Sequence, residues 1–155
     1  SSDCGFLNLL QLSGKAKPTK AVKILPLPKI FSDVKDGTMC DTAGWGATTS
    51  NGQKYPNKLM EVKLPAISRK KCATKWRPEK ITKNMMCTFD ARGKKDACVG
   101  DSGGPLLCRK TLRGIVSFGP KNCADRKLPG VYTFLTKAHV NWIKEKIKQR
   151  TNTTY

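Results

Sequence analysis

The chain has 155 residues, 38% of them hydrophobic, and carries 30 lysines and arginines against 11 aspartates and glutamates. That length and apolar share suit one domain with a core of ordinary size, and they leave no apolar stretch long enough to span a membrane. The formal charge of +19 sets up a field attractive to polyanions, with acidic proteoglycans of the heparin type as the natural partner class.

In chain order, the basic clusters are Arg69-Lys70-Lys71, Arg92 to Lys95, Arg109-Lys110 with Arg113, and Lys144, Lys146 and Lys148 with Arg150. They are dispersed rather than interleaved with aromatic side chains, so any nucleic-acid binding is expected to be nonspecific. The plainer reading of so much charge is a solubilising surface. Cysteines fall at positions 4, 40, 72, 87, 98, 108 and 123, with no pair spaced two residues apart as a zinc site needs, so the seven fit an oxidising compartment and no metal or other cofactor is expected. Short apolar runs between glycine and proline signals, such as Gly114 to Phe118 and Val131 to Leu135, read as strands of an antiparallel barrel. One helix is predicted from Lys137 to Gln149. Thr136 is its cap, Val140, Ile143 and Ile147 share one face, and lysines take the other. The first residues lack the basic start and apolar run of a signal peptide. Asn152-Thr153-Thr154 is a glycosylation sequon that matters only in the secretory pathway.

The densest chemistry lies in Asp96-Ala97-Cys98-Val99-Gly100-Asp101-Ser102-Gly103-Gly104-Pro105. A serine hydroxyl needs a base to take its proton and donors aimed at the oxygen that turns negative during attack. The backbone N–H groups of Gly100 and Ser102 are spaced to face one concavity, and glycine at 100 tolerates a backbone that a side chain would resist. Asp101 is the candidate for fixing the loop. The sequence holds a single histidine, His139, and its neighbours assign it to the C-terminal helix as a packing or surface residue rather than a base.

This loop, together with Thr42-Ala43-Gly44-Trp45-Gly46, Ser117-Phe118-Gly119 and Pro129-Gly130-Val131-Tyr132, resembles the trypsin-like serine proteases of the chymotrypsin fold, and within them the granzyme branch. The resemblance runs from about Leu7 to Lys148. It implies an all-β domain: the second antiparallel barrel of a two-barrel fold (29–135), followed by a C-terminal α-helix (136–149) and a tail (150–155). Residues 1–13 then hold a remnant last strand of the first barrel at Leu7 to Leu12, and 14–28 the linker; the rest of the first barrel is not in this chain. The resemblance also implies three disulfides, Cys40–Cys108, Cys72–Cys87 and Cys98–Cys123. Cys4 is left over and available for an intermolecular bridge.

By the same resemblance, Ser102 is the nucleophile, Gly100 and Ser102 donate to the oxyanion, and Asp101 pairs with an amino terminus freed by activation cleavage. With Cys98 tied to Cys123, Asp96 becomes the base of a slot walled by Ser117, Gly119 and Gly130, with Val99 at its rim. A desolvated carboxylate there favours lysine or arginine before the cleaved bond. The triad histidine lies outside this sequence, and its aspartate has only Asp3 or Phe6 as counterparts. The 155 residues alone are therefore expected to be nearly inactive, several orders of magnitude below a complete site. The alternative, from another class, is a non-catalytic polyanion-binding homologue. Localisation by family is secreted or granule-stored.

Overall fold

The computed structural model describes residues 7–151. Asp3, Cys4, Phe6 and the Asn152 sequon lie outside the described residues. Six strands, β1 (Met39–Gly44), β2 (Met60–Ile67), β3 (Met85–Thr88), β4 (Pro105–Cys108), β5 (Thr111–Phe118) and β6 (Gly130–Phe134), close into one barrel in the order β1-β2-β3-β6-β5-β4. Every neighbouring pair is antiparallel, and β1 meets β4 at Cys40 opposite Cys108, which closes the ring and removes the free edges. Helix α1 (Arg69–Lys75) sits between β2 and β3, and α2 (Lys137–Thr151) follows β6.

Strand pleating decides which residues fill the barrel. Along β2, Leu64 and Ala66 are buried while their neighbours are not, so one face points inward. Two apolar clusters make up most of the core, and Ala66 belongs to the first. One joins Cys40, Ala66, Met86, Leu106, Cys108, Tyr132 and Phe134 inside the barrel. The other gathers Cys72, Trp76, Ile81, Met85, Cys87 and Val131 under α1. The three disulfides in the structure are Cys40–Cys108, Cys72–Cys87 and Cys98–Cys123, the pairing the resemblance implies.

Helix α2 begins where expected. Thr136 Oγ1 accepts from the His139 N–H, and the Val140 N–H donates to the Thr136 carbonyl. Val140 and Ile143 are buried, but Ile147 is 55% exposed, because every described side chain from Lys144 onward lies in solvent beyond the end of the barrel. Helix α1 was not anticipated: its residues read as a basic cluster. Ser68 caps it by accepting from the Lys71 N–H, and the Cys72–Cys87 bridge fastens it to β3.

Residues 7–12, expected as a strand, form none here. They are mostly exposed and belong to none of the six strands of the barrel. The chain joins the barrel further on, where the Arg69 guanidinium grips Asp33 at 2.6 and 2.8 Å, Arg113 donates to the Ser32 carbonyl, and Val34 packs on the core. Among the described residues, no helix is long and apolar enough to cross a membrane.

Candidate active site

The loop from Cys98 to Gly104 is a chain of tight turns pinned on both flanks. Internally, the Asp101 N–H donates to the Cys98 carbonyl and the Gly104 N–H to the Asp101 carbonyl, both at 2.9 Å. On one flank, the Gly103 N–H donates to Val116 O and the Val116 N–H to Gly104 O, so the loop runs beside β5. On the other, the Ala47 N–H donates to the Val99 carbonyl at 2.8 Å.

These bonds orient the amides that matter. A trans peptide holds its C=O and N–H on opposite sides. With the Val99 carbonyl turned toward Ala47, the Gly100 N–H points away from Ala47, and with the Asp101 carbonyl turned toward Gly104, the Ser102 N–H points away from Gly104. Neither N–H bonds to another described residue, and both residues are exposed. Gly100 has φ +99°, a region that disfavours side chains.

Asp101 turns inward instead. Its Oδ1 accepts from the Gly46 N–H at 2.8 Å and its Oδ2 from the Cys98 N–H at 2.9 Å. A Cβ on Gly46 would lie 2.3 to 2.5 Å from the carboxylate atoms, so only glycine lets β1's end approach this closely. Trp45-Gly46, quoted above only for its resemblance, thus supplies the seat of Asp101, and Ala47 the anchor of Val99; nothing local in the sequence signals either bond.

Asp96 is half-buried. Its Oδ2 accepts from the Ala124 N–H at 2.9 Å, and a Cβ on Gly130 would come within 2.9 Å of its Oδ1. Burial pushes its carboxyl up to about 6; the nearby Asp125 and Asp101 charges push the same way, against the Ala124 and Ala97 N–H groups. Directly behind Gly130 stands Tyr132, fully buried, its hydroxyl 3.0 Å from Thr88 Oγ1 and its phenol pushed up by burial. Phe118 belongs to β5 and Val131 to β6, paired in the ladder, so Ser117 and Gly130 sit on adjoining strands. A side chain on Gly119 would meet nothing within 4 Å. Val99 is exposed and faces Gly52.

One cleft lies beside the loop but is not centred on Ser102. It holds about 400 Å³ and runs from Thr42 to Ser50 and across to Met60 and Val62, with Asp96 and Asp101 on its wall; Ser102, Ser117, Gly119 and Gly130 do not line it. Asp96 and Asp101 thus both line this cleft, beside Lys94 and Lys95, while Ser102 does not. His139 takes no part in the loop or the cleft. Its Nδ1 lies 3.0 Å from the Phe134 carbonyl and 3.2 Å from the Thr136 N–H, which ties the ring to the start of α2.

The family model described as Trypsin matches residues 6–143. Granzyme A of Bos taurus is 45% identical over 147 residues, covering 92% of this chain and 56% of that protein. Trypsin of Sus scrofa is 42% identical over 139 residues, covering 90% and 58%. The solved structure of neuropsin, a serine protease expressed in the limbic system of mouse brain, superposes with a TM-score of 0.78 at 36% identity, over 87% of this chain and 58% of that one. The chain thus spans about half the length of the curated relatives it matches. With that extent of match, and with the six-stranded barrel, the C-terminal helix and the three disulfides, the chain belongs to the trypsin family of serine proteases.

Proposed function

We propose that these residues supply the nucleophile half of a granzyme-like serine endopeptidase that cleaves after lysine or arginine. Ser102 attacks the carbonyl, the Gly100 and Ser102 N–H groups receive the oxyanion, and Asp96 binds the cationic side chain between Ser117, Gly119 and Gly130. One observation carries the reading: Asp96 is desolvated, forms no ion pair among the described residues, and lies against Gly130 next to the serine loop. A buried carboxylate of that kind gains most from a ligand that brings its own positive charge. Asp101 holds the loop, and its place on the wall of the cleft suits an incoming amino-terminal ammonium of the kind the family resemblance implies.

Because His139 is tied to α2, the base must come from elsewhere, and these residues by themselves are proposed to turn over substrate slowly. The test is binding rather than turnover. p-Aminobenzamidine should bind the chain and lose nearly all affinity in Asp96→Asn, and a fluorophosphonate should label Ser102 only slowly. No binding by the unsubstituted chain would refute the slot, and rapid labelling would refute the missing base.

The second reading, a non-catalytic polyanion-binding homologue, draws on the surface. Among the described residues four ion pairs form, so most of the basic side chains are not neutralised by carboxylates. Retention on heparin beyond about 0.2 M salt supports it, and earlier release counts against it.

A further inference from the structure

Asn51-Gly52 is the one asparagine–glycine pair in the sequence; every other asparagine is followed by a residue with a side chain. The pair lies in the loop between β1 and β2, with Asn51 exposed. The Asn51 side chain folds back along its own backbone. Its Oδ1 accepts from the Gln53 N–H at 3.3 Å, and its Nδ2 donates to Gln53 Oε1 at 3.0 Å. A side chain closed across Gly52 in this way keeps its carboxamide carbon beside the Gly52 peptide. Glycine has no side chain to crowd the approach of its nitrogen to that carbon.

One bond opposes that approach. The Gly52 N–H donates to the Thr49 carbonyl at 2.9 Å, so the nitrogen is engaged in a turn. The loop is closed by further bonds, from the Thr48 N–H to the Lys54 carbonyl at 2.8 Å and from the Lys54 N–H to Thr49 Oγ1 at 3.2 Å. Thr48 and Lys54 are exposed, and solvent-exposed loop bonds of this kind open at low cost. The loop also touches the serine loop. The Ser50 carbonyl accepts from the Cys123 N–H at 2.9 Å, and a Cβ on Gly52 would lie 3.3 Å from Val99 Cγ2.

We propose that Asn51 is a site of spontaneous deamidation, gated by the Gly52–Thr49 turn bond, and that its conversion unseats this loop from Val99. When the turn opens, the Gly52 nitrogen attacks Asn51 Cγ. An N–C bond forms, the Cγ–Nδ2 bond breaks, and ammonia leaves with the proton from the Gly52 nitrogen. Water then opens the cyclic imide at either carbonyl. Opening at the side-chain carbonyl gives aspartate. Opening at the main-chain carbonyl gives isoaspartate, in which the chain runs through the former side chain and is longer by a carbon. Both products add a negative charge, and the second moves Gly52 away from Val99, whose carbonyl is held by the Ala47 N–H just ahead of Gly100.

The test incubates the unsubstituted folded chain at neutral pH, samples it over days, and maps the reduced protein by tryptic digestion and mass spectrometry. Peptide 36–54 carries Asn51 and no other asparagine, and fragmentation separates Asn51 from Gln53. The expected result is a new carboxylate at Asn51 that forms at least about tenfold faster than at Asn57, which is also exposed but is followed by Lys58. In guanidinium chloride the rate at Asn51 should rise roughly fivefold, the weight of one net turn hydrogen bond. Thr49→Val deletes the acceptor for the Lys54 N–H and should speed conversion in the folded chain about threefold on the same scale. In the converted chain the Ala47 amide should exchange with deuterium faster than in the fresh one. Conversion at Asn51 no faster than at Asn57 overturns the site. A rate that denaturant leaves unchanged overturns the gate, as does Thr49→Val matching its parent, and unaltered Ala47 exchange overturns the link to Val99.

Discussion

Asp96→Asn should make the protein more stable, although it destroys the proposed binding site. Holding a carboxyl at about 6 rather than 3.8 costs its ionised form about 3 kcal/mol in the folded state. The site is open to solvent on one side, which screens part of this, so a gain of about 1.5 kcal/mol at pH 8 is the working figure. Asparagine keeps an oxygen for the Ala124 N–H, so the neutral isostere loses little else. The sign follows from proton binding. Between 3.8 and about 6 the folded state holds the Asp96 proton that the unfolded chain has released, so the stability of the unsubstituted protein falls as pH rises through that window and is flat above it. The advantage of the variant is thus absent below pH 4, grows to pH 6 and persists at pH 8. Urea unfolding followed by tryptophan fluorescence at pH 4 and pH 8 measures both values, with a midpoint shift of about 3 to 6 °C in a matching thermal scan. A variant that is less stable than its parent at pH 8, or one whose difference does not change with pH, would refute the claim that Asp96 is a desolvated and unpaired carboxylate.

Gly46→Ala drives a methyl group into the Asp101 carboxylate and breaks the Gly46 N–H bond, so it should cost about 3 kcal/mol in urea unfolding; a loss below about 0.5 kcal/mol would mean that Asp101 can sit elsewhere. Removing the Cys72–Cys87 bridge with paired alanines opens a loop of 15 residues and should cost about 3 kcal/mol in the same assay, whereas near-neutrality would show that α1 needs no staple. Ser102→Ala, at an exposed position, should leave stability and p-aminobenzamidine binding unchanged while abolishing fluorophosphonate labelling; residual labelling would place the reactive hydroxyl at another serine.

The local chemistry was legible from the residues in order. Glycines 100 and 103 flanking Asp101-Ser102 announce a tight loop with free amides, and their positive φ values are the backbone cost of it. The run Val140, Ile143, Ile147 announces a helix with one apolar face, since side-chain period is a property of consecutive residues. It could not say that Ile147 stays half exposed, because how far a face is covered depends on elements far away in the chain. The same distinction explains α1, where a polar cap at Ser68 and a buried cysteine outweigh a stretch that reads as charge.

What holds the site was decided only in three dimensions. Asp101 is seated by Gly46, 55 residues earlier, and Trp76 reaches Pro129, 53 residues later. Backbone N–H and C=O groups are alike at every position, so sequence cannot say which of them will meet; barrel closure selects the partners. The sequence by itself determined the serine in its glycine-rich loop, the carboxylate six residues before it and the cysteines available for bridging. Tertiary structure decided the direction of the loop amides, the seat of Asp101 and the desolvation of Asp96, because each is a property of which distant segments pack together rather than of any segment alone.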